Sequence, residues 1–112
     1  MADPILLRGT LDLLVLKTLI AQPLNGFEIV RQLENRSGGA LDLDDSALYQ
    51  ALHRMEERGH IQAEWGVSEN NRRARYYQIT TQGRKHLRVE SARWIKSAAL
   101  VADILGAATP IA

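Results

Sequence analysis

The side chains best suited to act on a partner fall in two clusters. One is Ser46, Tyr49, Gln50, His53 and Arg54, and the other is Arg72, Arg73 and Arg75. The first cluster lies in the stretch DSALYQALHRMEERG, from Asp45 to Gly59. Read as a helix, this stretch places Leu48, Leu52 and Met55 at i, i+4 and i+7, a single apolar stripe for a core. Asp45 suits its N-cap, and Gly59 sits where a left-handed C-terminal cap is usual. Hydroxyl, amide, imidazole and guanidinium groups on the remaining faces are those that bond base edges and phosphates. Only Glu56 and Glu57 oppose them, both near the C-terminal end. Alone, the stretch fits an ordinary surface helix better, because most amphipathic helices are of that kind. Three arginines within four residues, shortly after it, tilt the balance towards nucleic acid.

Composition narrows the alternatives. The chain has 112 residues, within the range of one domain, and is 46% hydrophobic and 24% charged, as a folding chain should be. The net charge of +1 does not by itself announce a nucleic-acid binder. Its distribution says more: Leu24–Asp45 holds two bases and five acids, and Ser46–Glu90 eight bases and five acids. The basic half begins at the polar helix. Cysteine is absent, which excludes disulfides and thiolate metal sites and fits a reducing compartment. No signal-peptide pattern is visible, and the apolar runs are too short to span a bilayer, so a soluble cytoplasmic protein is expected. His53, His60 and His86 lack metal-ligand spacing, and there is no nucleophile elbow or phosphate-cradling glycine motif. These observations predict no enzyme, no metal and no cofactor.

The elements that would position the two clusters follow from periodicity. Met1–Arg8 reads as a loose arm. Thr10–Ala21 reads as a helix apolar nearly all round: Leu11, Leu14, Val15 and Leu19 form one face, and Leu13, Leu16 and Ile20 a second. Such a helix needs more than one burial partner: in so small a chain the simplest second partner is another subunit, and the alternative is a central place in one monomeric core. Pro23 stops it. Asn25 caps a second helix over Gly26–Ser37, with Phe27, Val30 and Leu33 inward, Ile29 flanking, and Gly38-Gly39 ending it. After the polar helix the period becomes two. Ile61, Ala63, Trp65 and Val67 alternate with polar residues or glycine, Ser68–Arg72 supplies turn formers, and Ala74–Ile79 is β-prone. The three arginines thus sit at a hairpin tip. Thr80 or Thr81 then caps a helix to about Leu105, with Leu87, Ser91, Trp94, Ala98, Val101 and Leu105 in a heptad-like seam. At about 40 Å this helix overshoots a small domain, which predicts a two-fold dimer packed through it and the first helix.

The fold class predicted is mainly α with a small β-hairpin: a winged helix-turn-helix over residues 1–79, a C-terminal dimerisation helix over 80–106 and a flexible tail over 107–112. The expected dimer interface is Leu11, Val15, Leu19, Leu87, Trp94, Ala98, Val101 and Leu105.

The chain resembles the short form of the PadR-type transcriptional regulators. The resemblance is carried by LRGTLDLLVLKTL (Leu7–Leu19), NGFEI (Asn25–Ile29), ALYQALHRMEERGHI (Ala47–Ile61) and WGVSENNRRARYYQITTQG (Trp65–Gly83). Where the family often has His-Gly-Tyr, this chain has Asn25-Gly26-Phe27, and Met55 replaces a usual leucine. The resemblance implies a homodimeric repressor binding double-stranded DNA at a pseudo-palindromic operator. It puts Ser46, Tyr49, Gln50 and His53 on the major-groove helix, with Tyr49 a phosphate contact through its hydroxyl. Arg54 is either a phosphate contact or a structural ion pair, and Arg72, Arg73 and Arg75 are wing contacts. For Trp94 there are two readings: a ligand-stacking residue for a small hydrophobic or aromatic effector at the dimer centre, or a plain interface anchor. An alternative of another class is a winged-helix module that binds protein without reading DNA.

Overall fold

The computed structural model describes residues 9–106; the N-terminal arm and the flexible tail expected at 1–8 and 107–112 lie outside the described residues. The order of elements is α1 (Thr10–Thr18), β1 (Leu24–Asn25), α2 (Gly26–Arg36), α3 (Asp45–Glu57), β2 (Ile61–Val67), β3 (Arg73–Ile79) and α4 (Thr81–Leu105). The strands form one antiparallel sheet in the order β1-β3-β2. This is a winged helix followed by one long helix. No helix among the described residues is long and apolar enough to cross a membrane.

The core is built by α1, α2, α3 and the inner half of the hairpin. Val15, Leu16, Ile29, Leu48, Leu52 and Met55 are almost fully buried, and Tyr77 and Ile79 close the sheet side. The stripe read from the polar helix therefore does hold α3 to the core, and Ala51 joins it. Asp44, not Asp45, occupies the N-cap of α3, without a side-chain bond. Gly59 has φ +78, the left-handed geometry that turns the chain from α3 into β2.

Two local expectations change. α1 ends at Thr18, short of Ala21, where the Leu19 N–H turns to the Leu16 carbonyl and closes a tighter last turn. In α2 the inward residues are Ile29 and Leu33, Val30 is half-buried, and Phe27 is 67% exposed. Burial of Ile29 and Leu33 holds this face inward, and a capping box closes the start of the helix. The Asn25 side chain accepts from the Glu28 N–H at 2.9 Å, and the Glu28 carboxylate accepts from the Asn25 N–H at 3.0 Å. Asn25 is also held in β1, paired with Tyr76 of β3, an element too short to leave a sequence signal.

The assignment of Leu11, Val15 and Leu19 to a subunit interface is corrected by their position. All three are buried inside the single chain, where α1 packs on α2 and α3. The face of α1 turned towards α4 carries Leu13, Leu14 and Ile20, each half-buried. Leu87 is likewise buried within the chain, against α1.

Candidate nucleic-acid interface

Strand alternation decides what the hairpin presents to α3. The register pairs Ile61 with Ile79, Ala63 with Tyr77, Trp65 with Arg75 and Val67 with Arg73. These residues share one face of the sheet. Its inner half is core, and its outer half carries Trp65, Val67, Arg73 and Arg75 beside α3. The turn is closed by the Ser68 N–H donating to the Arg72 carbonyl at 2.8 Å, with Asn71 at φ +60.

On α3, Ser46, Tyr49, Gln50 and His53 are exposed together on the outer side. The Gln50 amide donates to the Ser46 hydroxyl at 3.5 Å, a long bond that leaves both groups free to take partners. His53 lies 3.7 Å from Glu57. The Tyr49 hydroxyl lies over Gly26, where a Cβ would stand 2.6 Å from it. A side chain at position 26 would push this tyrosine off the start of α2.

The arginines divide into two kinds. Arg54 turns inward and donates to Asp12 of α1 at 2.8 Å. Arg75 forms a two-pronged pair with Glu56 of α3, at 3.3 and 3.1 Å, and lies over the Tyr77 ring. It ties the wing to the helix, and its charge is largely spent there. Burial pushes the Tyr77 hydroxyl above its ordinary pKa, against the pull of Arg75. Arg72 and Arg73, by contrast, form no ion pair among the described residues. Arg73 is stacked 4.6 Å above the Trp65 ring, and Arg72 is exposed on the turn.

The acidic partners Asp12 and Glu56, and the exposed Trp65, were not singled out from the sequence. Asp12 had a usable signal, as the lone acid in an apolar helix. Trp65 reads as an inward strand residue until the hairpin is seen to overrun the core.

On the opposite side, Trp94, Val101 and Leu105 of α4 are exposed, and Ala98 is half-buried. Ile95, Leu100 and Ile104 extend the apolar surface. The Trp94 indole N–H donates to the Thr10 hydroxyl at 3.1 Å, and its ring walls an apolar groove of about 550 Å³ between α1 and α4. The same groove is lined by Leu13, Leu14 and Ile20.

Comparison with known proteins supplies a family context. The sequence profile described as the transcriptional regulator PadR-like family matches residues 15–89. A transcriptional regulator from Clostridium thermocellum superposes with a TM-score of 0.77 at 27% identity, over 86% of this chain and 90% of that one. A PadR family transcription regulator from Clostridium difficile gives 0.74 at 26% identity, over 87% and 99%. One from Eggerthella lenta gives 0.74 at 30% identity, over 88% and 83%.

Proposed function

Because the chain belongs to the PadR-like family of transcriptional regulators, we propose that it is a homodimeric, sequence-specific DNA-binding repressor of an adjacent operon. The observation that carries this reading is the pairing of one exposed polar helix face with a wing whose Arg72 and Arg73 form no ion pair among the described residues. Ser46, Gln50 and His53 enter the major groove and meet base edges, and Tyr49 meets a phosphate through its hydroxyl. Arg72 and Arg73 reach the flanking phosphates or the minor groove. Arg54 and Arg75 serve mainly to hold the reading helix and the wing in register.

The winged helix over 1–79 is carried by a dimerisation arm over 80–106. Support for the arm is the run of exposed apolar residues on α4, with Leu100, Val101, Ile104 and Leu105 each more than half exposed. A soluble chain rarely leaves such a run uncovered. With Leu11, Val15 and Leu19 in the core, the partner's α4 meets the part of the Leu13, Leu14 and Ile20 face of α1 that the chain's own α4 leaves open.

The groove at Trp94 favours a flat hydrophobic or aromatic effector that loosens the DNA-bound dimer. Its support is an indole face 43% exposed within an apolar recess. Titrating planar aromatic compounds against tryptophan fluorescence, with Trp94→Ala as control, tests this part. A footprint on the region upstream of the gene tests the whole. It should show two protected half-sites about 34–36 Å apart, one helical turn or a multiple. Gln50→Ala should change which sequence is protected. Uniform protection, insensitive to that change, would refute sequence reading by α3.

A further inference from the structure

Phe27, Tyr49 and Trp65 are exposed by 67, 52 and 59%, and all three border one cleft of about 580 Å³ between the start of α2, α3 and the hairpin face. The core does not need them there, since Ile29 and Leu33 already anchor α2. The cleft lining also includes Arg72, Arg73 and Arg75 and not one acid. Of the carboxylates on the flanking helices, Glu56 is engaged by Arg75 and Glu28 by the cap of α2. Exposed rings alternating with guanidinium groups complement a sugar–phosphate strand, in which apolar deoxyribose faces alternate with anionic phosphates.

We propose that this cleft seats one strand of the DNA backbone, with Trp65 and Phe27 packed against deoxyribose and Arg72 and Arg73 on the adjoining phosphates. Trp65 has two jobs. Its ring supplies apolar area to the sugar, and it holds Arg73 at 4.6 Å, so that the guanidinium loses less freedom on binding. The contact reads no bases and so strengthens binding to every sequence. This inference rests on the DNA-binding reading above and assigns Trp65 and Phe27 a part in it.

The test uses the full chain with Trp94→Phe, which leaves Trp65 as the remaining tryptophan of two. A labelled random-sequence duplex is added at low salt while duplex anisotropy and Trp65 emission are followed together. Trp65 emission should change in step with the rise in anisotropy. Adding Trp65→Ala should weaken binding about tenfold on random and upstream duplexes alike, and Trp65→Phe should restore most of it. A rise in anisotropy with unchanged Trp65 emission would overturn the cleft assignment and leave DNA binding standing. No rise with any duplex, for the native chain as well as for this variant, would overturn both.

Discussion

Arg54 of α3 and Asp12 of α1 are joined at 2.8 Å, and the Asp12 side chain is only 4% exposed. Arg58 adds a second positive charge 4.0 Å from the other carboxylate oxygen. This pair ties together two helices that the core also packs against each other. Such a pair, with Asp12 almost fully buried, is costly to break one-sidedly, because the surviving carboxylate keeps only the more distant Arg58. Arg54→Gln should destabilise the fold by on the order of 3 kcal/mol in urea unfolding. Asp12→Asn combined with Arg54→Gln should cost less than the sum of the two single changes. Additive costs would show that Arg54 does not act through Asp12.

The wing arginines should separate in their salt dependence. Each phosphate that a side chain neutralises adds roughly 0.9 to the steepness of log K against log salt. Arg72→Ala and Arg73→Ala should each flatten the slope by about that amount. Glu56→Gln should weaken binding to any duplex, because it cuts the Arg75 tie that holds the wing against α3. Stronger binding by Glu56→Gln would mean that the released charge of Arg75 outweighs that tie.

His60 gives the protein a predictable pH response. It stacks on His86 with ring centroids 4.2 Å apart, where β2 begins against α4. Its pKa is held below the ordinary 6.5 by burial first, then by His86 and Arg58, against the opposing pull of Asp12. The unfolded chain therefore binds the proton more readily than the folded one. The contribution of His60 to stability is complete above pH 6.5 and is lost as pH falls through its lower folded value. Urea unfolding over a pH series should show this loss in the native chain and a shallower one in His60→Gln. Identical pH profiles would remove His60 from the account.

The distal end of α4 can be tested without disturbing the core. Ile104 and Leu105 are each 76% exposed in the single chain. Changing both to lysine should halve the mass seen by sedimentation while the circular dichroism of the helices persists. A native mass already that of one chain would contradict the proposed dimer, and a doubled mass unchanged by both substitutions would place its contact elsewhere.

Much of this was legible in the chain. The stripe Leu48, Leu52, Met55 marks the inward face of α3, and the alternation through Ile61, Ala63, Trp65 and Val67 marks a strand where β2 lies. What failed were choices between faces. In α1, apolar residues occur on every side, so spacing could not say that Leu11, Val15 and Leu19 meet α2 and α3 rather than another subunit. In α2, Phe27 is an anchor by type, yet Ile29 and Leu33 take the inward face and leave it exposed, with Asn25 held at the helix start by its cap and by β1. Ion-pair partners were the least visible part of the site. Arg54 and Asp12 stand 42 residues apart, and no local rule joins them.

The central claim, that α3 and the wing bind DNA, is tested most directly by fluorescence anisotropy of a labelled duplex from the region upstream of the gene. The titration is repeated over a range of salt concentrations against a scrambled duplex of the same composition. The upstream duplex should bind more tightly, with log K falling steeply and linearly with log salt. Absent binding, or binding that neither salt nor scrambling alters, would contradict it.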